Sequence, residues 1–142
     1  MTIDTATNPP PTPRIRTAGT GTRDAPLDVL IVGAGTPGVG AAYHLDAQRP
    51  GTSWREPTSK DTSGGPWVSH RYPGIRSDSD LYPFGYRFKP WMGKPIATAE
   101  EILSYMGEVI EENGLADRIL YRHAIESASW SEADRLWTVR VH

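Results

Sequence analysis

The sequence contains no cysteine. That excludes a disulfide framework, a thiolate nucleophile and Cys-ligated zinc, and it fits a reducing, cytoplasmic compartment. Long hydrophobic runs are also missing: the longest, residues 29–32 with Leu27 nearby, is too short to cross a bilayer, and no stretch reads as a signal segment. Neither sign of charge dominates. Fifteen Lys and Arg stand against 17 Asp and Glu, a net charge of −2, so there is no global attraction to nucleic acid or to an anionic membrane. His44, His70, His123 and His142 show no paired ligand spacing, which leaves no metal site to expect. No internal repeat is present. At 142 residues the chain has the length of one domain, enough to bury a core.

What is present begins with a tail. Residues 1–26 are rich in Thr and Pro, lack apolar periodicity and read as a mobile, partly extended segment ahead of a domain at 27–142. Asp28-Val29-Leu30-Ile31-Val32 then runs directly into Gly33-Ala34-Gly35-Thr36-Pro37-Gly38, an apolar strand feeding a glycine turn that opens a helix. This is the pattern of a dinucleotide-binding entry point. Gly33 permits the tight turn, Gly35 lets the backbone approach a pyrophosphate, and Gly38 lets the helix pack closely on the strand. Free N–H groups and the helix dipole favour the diphosphate. Val39, Ala42 and Leu45 continue at helical spacing, predicting a helix over about 36–48 that Pro50-Gly51 stops. A second strand should follow at 52–58, but its polarity and Pro57 make it a poor buried parallel strand.

Residues 59–95 are dense in Gly, Pro, Arg and aromatics, and read as a long ordered loop region. Thr98 and Glu101 have capping-box spacing ahead of an amphipathic helix carrying Ile102, Leu103, Met106, Val109 and Ile110 on one face, ended by Asn113-Gly114. The stretches 118–123, 127–130 and 136–141 look extended and suggest a small antiparallel meander. The predicted fold is therefore α/β: an incomplete Rossmann-like domain with a βαβ start, a long loop, a helix and the meander. Within the loop, Arg71, Tyr72, Arg76, Tyr86, Arg87 and Trp91 alternate base and aromatic as in single-strand nucleic-acid binders, but Asp78 and Asp80 oppose that reading. Asp78 and Asp80 themselves read as a turn or helix-start signal rather than as an acid/base pair.

Three segments together carry a resemblance: Gly64-Gly65-Pro66-Trp67, Arg71-Tyr72-Pro73-Gly74-Ile75-Arg76-Ser77-Asp78-Ser79-Asp80 and Phe84-Gly85-Tyr86-Arg87-Phe88-Lys89-Pro90-Trp91. From about residue 28 onward the chain resembles flavin-containing monooxygenases of the Baeyer-Villiger type, particularly the subfamily of the thioamide-prodrug-activating enzyme. The resemblance implies an oxidoreductase in which FAD sits in the N-terminal domain and NADPH reduces it. The reduced flavin captures oxygen and oxygenates a ketone, sulfide or amine. It puts Gly33, Gly35, Pro37 and Gly38 at the FAD pyrophosphate, Pro66 and Trp67 beside the flavin, Arg76 and Asp78 facing the flavin and nicotinamide, and Ile125 at the adenine. Asp78 is the candidate supporting catalytic residue, its family partner arginine lying outside this sequence.

The same resemblance exposes departures. The family's acidic ribose ligand falls on Thr58, which offers a hydroxyl but no carboxylate. Glu56, two residues earlier on the same strand face, is displaced by roughly 6 to 7 Å. Pro37 replaces the usual serine of the turn, Pro66 the usual threonine of G-G-T-W, and Val68 the usual aspartate after the tryptophan. Family members are several-fold longer, and the second glycine fingerprint, for NADPH, does not occur here. The expected protein is thus an N-terminal FAD-binding segment, inactive alone. The alternatives are a non-catalytic remnant or association module, completed by a partner chain, and another FAD or NAD oxidoreductase sharing only the glycine turn.

Overall fold

The computed structural model describes residues 26–142 together with the backbone of Arg14–Ala18 (β1). The apolar run after Asp28 forms strand β2 (Val29–Leu30), turns at Gly33 and enters helix α1 (Thr36–Gln48), whose bounds match the sequence expectation. Gly51, at a φ of +89°, reverses the chain into strand β3 (Trp54–Pro57), which pairs parallel with β2. Strand β4 (Ile119–Leu120) pairs parallel with the far edge of β3, placing Ile119 opposite Glu56 and Leu120 opposite Pro57. The sheet order is β2-β3-β4.

Strand β3 departs from the sequence expectation, because the stretch read as too polar for a buried parallel strand holds the middle of the sheet. The physical reason is a polar strut. Trp54 is fully buried, and its indole N–H donates to the Asp46 carboxylate of α1 at 2.7 Å. The Arg118 guanidinium stacks 4.1 Å from the centre of the Trp54 ring and pairs with both oxygens of Asp46. That guanidinium hydrogen bond, reinforced by the indole and opposed by partial burial, holds the Asp46 carboxyl below its ordinary range. Pro57 falls at the strand's end, where its missing N–H does least harm and its carbonyl still accepts from the Gly33 N–H at 2.8 Å.

The region read as a long loop contains two one-turn helices, α2 (Pro66–Ser69), which the sequence does not announce, and α3 (Leu81–Phe84). Asp80 caps α3 by accepting from the Tyr82 N–H at 2.8 Å, the helix-start role that its sequence suggests. Helix α4 (Ala99–Glu112) has the full reciprocal capping box, with Thr98 accepting from the Glu101 N–H and Glu101 from the Thr98 N–H. Its buried face, Ile102, Tyr105, Met106, Val109 and Ile110, packs on Val39 and Ala42 of α1 and on Leu115 in one core. Leu103, predicted on that face, is half-buried and meets Gly64 instead.

Strands β5 (Ile125–Ser131) and β6 (Leu136–Val141) form the antiparallel pair expected at the end of the chain, with Trp130 opposite Trp137. Two corrections apply here. The 118–123 stretch does not join that pair; its apolar Ile119 and Leu120 bury against β3 in the parallel sheet. The open edge of β6 is taken by β1, which pairs parallel from Arg14 opposite Leu136 to Ala18 opposite Arg140, within the segment read as a mobile tail. The rest of that tail, 1–13 and 19–25, lies outside the described residues. No described helix is long and apolar enough to cross a membrane.

Removing the Thr98 hydroxyl deprives α4 of half its capping box. Thr98→Ala should lower the unfolding free energy in urea by about 1 kcal/mol, with the denaturant slope unchanged. An unchanged midpoint would mean that this cap contributes nothing.

Candidate functional site

The glycine turn is built by close approach. Gly33 has a φ of +90°, and its N–H is held by the Pro57 carbonyl at the end of β3. A Cβ at position 38 would lie 2.0 Å from the Gly33 carbonyl oxygen, so only glycine lets the first turn of α1 sit against the strand. Gly35 is the extended N-cap of α1. Behind it, Gly64 donates to the Ala34 carbonyl at 2.8 Å, and a Cβ on Gly65 would come within 3.2 Å of the Gly35 Cα. The Gly64-Gly65 pair therefore packs directly on the turn. The first turn of a helix leaves N–H groups without helical acceptors, which is an anion-receptive arrangement. Pro37, in that first turn, removes one of them.

Beneath this cradle lies Glu56. It is 0 % exposed, and a Cβ on Gly38 would approach its Oε1 to 2.5 Å. Neither carboxylate oxygen has a hydrogen-bond partner among the described residues. Burial pushes its pKa from 4.5 up to about 7, because water no longer solvates the charge. Tyr86 flanks the same turn, its hydroxyl donating to the Thr36 carbonyl at 2.5 Å. Burial, with smaller repulsions from Tyr105 and Glu56, raises the Tyr86 phenol above its ordinary value and keeps it neutral. Its backbone N–H in turn donates to the Tyr105 hydroxyl at 2.8 Å, so α4 braces the turn through two tyrosines.

Two cavities open beside the cradle and share a wall. One, of about 310 Å³, is lined by Thr36, Pro37, Trp67, Asp78, Ile102 and Met106 among others. The other, of about 280 Å³, includes Pro66, Trp67, Arg76 and Asp78. The structure thus gathers Pro37, Pro66, Trp67, Arg76 and Asp78 next to Gly33, Gly35 and Gly38. The Arg76–Asp78 stretch is pinned by buried Ser77, whose N–H donates to the Ala97 carbonyl at 2.8 Å and whose hydroxyl accepts from the Ala97 N–H at 3.1 Å. Asp78 is exposed, and its carboxylate accepts from the Ser79 hydroxyl at 3.2 Å. A third cavity, of about 330 Å³ between 89–93 and α4, takes in none of these residues.

Thr58 and Ile125 lie at the other end. Thr58 is buried just past β3, donating its N–H to the Leu120 carbonyl at 2.9 Å and accepting from the His123 N–H at 2.8 Å. Ile125 opens β5 two residues after that contact. Sequence reasoning missed the burial of Glu56 and the bracing tyrosines. The first had a signal: Glu56 shares a strand face with Thr58, and the strand carries it inward under Gly38.

No family model matches the chain. Over 116 residues it is 45% identical to the FAD-containing monooxygenase EthA of Mycobacterium tuberculosis (strain ATCC 25618 / H37Rv), covering 81% of this chain and 24% of that protein. The probable FAD-binding monooxygenase AlmA of an Acinetobacter species is 42% identical, over 81% of this chain and 23% of the relative. The structure of an oxidized steroid monooxygenase bound to NADP matches with a TM-score of 0.72 and 32% identity, over 79% of this chain and 22% of the other. The matched stretch belongs to the Baeyer-Villiger type of FAD-containing monooxygenases. A complex of OTEMO with FAD and NADP matches with a TM-score of 0.72 and 26% identity, over 81% of this chain and 22% of that one. The chain spans about a quarter of the length of the curated relatives it matches.

Glu56 lies at the floor of the glycine turn and Thr58 at its far end. Glu56 has a folded-state pKa above its unfolded value, so the native state binds the proton more tightly. Its contribution to stability is fully present below pH 4.5 and is lost as the pH rises to about 7. Relative to Glu56→Gln, the wild-type unfolding free energy should fall by roughly 3 kcal/mol across that window. Parallel pH profiles for the two proteins would show Glu56 to be solvated and ionised.

Proposed function

We propose that this chain is the N-terminal FAD-binding segment of an NADPH- and O2-dependent monooxygenase, its glycine turn and the first turn of α1 receiving the cofactor's diphosphate. The observation that carries the reading is the close-packed glycine cradle: Gly38 against the Gly33 carbonyl, and Gly35 against Gly65. Such approach leaves no side chain between the turn's backbone N–H groups and a ligand, which suits a pyrophosphate. Homologues named for FAD, and related structures bound to FAD and NADP, support the same assignment.

On this reading the parallel β2-α1-β3 unit is the start of a Rossmann-like domain. Pro66, Trp67, Arg76 and Asp78 flank the flavin ring, while Thr58 and Ile125 sit at the adenosine end. The bound flavin supplies the redox and oxygen chemistry. The chain's own groups hold and orient it, with Asp78 as a supporting charge. The substrate class is a small ketone, sulfide or amine, and the compartment is the cytoplasm. G-x-G-x-x-G occurs once in the sequence, so the segment offers one dinucleotide turn and should not oxidise NADPH by itself.

A second reading, in which the family fold persists without cofactor binding, draws on Glu56, whose ionised form would oppose a diphosphate above it. Incubation with FAD followed by desalting separates the two. Near-stoichiometric flavin absorbance should remain with the wild-type chain and be lost in Gly38→Ala, with Trp67→Ala reducing it. A wild-type chain that is folded by circular dichroism yet emerges colourless would establish the second reading.

A further inference from the structure

A fully buried carboxyl with no hydrogen-bond partner among the described residues, Glu56, lies directly against the glycine turn. A Cβ at position 38 would be 2.5 Å from its Oε1 and 2.0 Å from the Gly33 carbonyl oxygen, so those two oxygens are no farther apart than the sum of these distances. Gly38 belongs to the first turn of α1, where N–H groups without helical acceptors and the helix dipole favour negative charge. An ionised Glu56 and a bound diphosphate would therefore draw on the same positive helix end, in surroundings that screen their repulsion poorly.

The elements packed around Glu56 offer it no counter-charge. Strand β4 places Ile119 opposite it, and Arg118, just ahead of that strand, is bound to Asp46 of α1 at Trp54, two residues back along the same strand face. On α1, Tyr43 stacks on Phe88, and His44 is exposed at the edge of the same ring. Asp28, ahead of β2, is bonded to Ser53. From the loop, Tyr86 lies close enough to feel the Glu56 charge, but its hydroxyl is given to the Thr36 carbonyl, and that of Tyr105 behind it to the Lys89 carbonyl. Burial alone raises the Glu56 pKa to about 7.

We propose that Glu56 makes diphosphate binding at the glycine turn proton-linked: the turn holds the ligand with Glu56 neutral, and a chain loaded while Glu56 is ionised takes one proton from solvent onto that carboxylate. The inference rests on the reading that the turn holds the FAD diphosphate, and it adds the regulation of that site. By linkage, the ligand raises the affinity of Glu56 for its proton by the same factor as the proton raises the affinity for the ligand. Binding is then strongest below about pH 7 and weakens above it.

The test is calorimetric titration of the full chain with FAD, run at each pH in two buffers of different protonation enthalpy, which reads affinity and protons exchanged together. From about pH 6 to about pH 8 the wild-type dissociation constant should rise about tenfold, with close to one proton taken up per FAD at the higher pH. Glu56→Gln, a neutral side chain of nearly the same shape, should show neither the weakening nor the uptake. Any proton exchanged at His70, which lines a cavity beside the turn, is common to both proteins, so the difference between them isolates Glu56. Equal pH slopes and equal uptake in the two proteins would overturn the proposal and leave the flavin reading standing. Wild-type binding at about pH 8 without proton uptake would do the same, and that measurement needs no variant. A folded chain that binds no FAD at any of these pH values would overturn both.

Discussion

The Gly33 carbonyl occupies the place where a side chain at position 38 would begin, and most of the described structure is arranged around that contact. It sets the distance between β2 and the start of α1. It also forces the chain through a positive φ at Gly33, which turns the Gly33 N–H toward β3 and fixes the end of that strand by way of the Pro57 carbonyl. The Gly64-Gly65 pair closes on the other side, tied to Ala34. Helix α1, the end of β3 and the Gly64-Gly65 pair are thus all registered against one turn. Backbone N–H groups in such a setting are fixed dipoles that need no reorganisation to meet an anion.

A second constraint acts on β3, where apolar burial alone would not hold a Trp-Arg-Glu-Pro strand between two neighbours. Trp54, Asp46 and Arg118 join the strand, helix α1 and the turn ahead of β4 through one indole and one bidentate ion pair. Exposed ion pairs contribute little. This one is partly buried, planar and stacked on an aromatic ring, so its geometry is restricted and its neighbours are fixed with it. The strut therefore stands in for the apolar run that a central parallel strand usually carries.

Much of this was legible in the residues. Helix α1 and its glycine turn follow from the strand–glycine–helix order, and α4 from its capping box and apolar stripe, because both depend on local periodicity. The polar β3 was not legible: its stability comes from Asp46 and Arg118, 8 and 64 residues away from Trp54 in opposite directions. The placement of 118–123 failed for the same reason, since two apolar residues do not say which sheet they join. In the candidate site, Pro66, Trp67, Arg76 and Asp78 line two adjoining cavities beside the glycine turn. The bracing of Thr36 by Tyr86, itself held by Tyr105, has no periodic signal, because those contacts span loops.

Glu56 and Thr58 show how a two-residue difference along one strand face redistributes charge across a site. At the strand's end a carboxylate would meet water and ribose hydroxyls and stay ionised at little cost. Two residues inward the same group is walled by Gly38 and the sheet, where desolvation favours the neutral acid. In that form no buried negative charge lies under the glycine turn. At the strand's end Thr58 carries no charge, and the exposed Lys60, Asp61 and Arg122 follow on the adjoining stretches. The strand's negative charge thus sits at the buried Glu56, where protonation hides it below about pH 7.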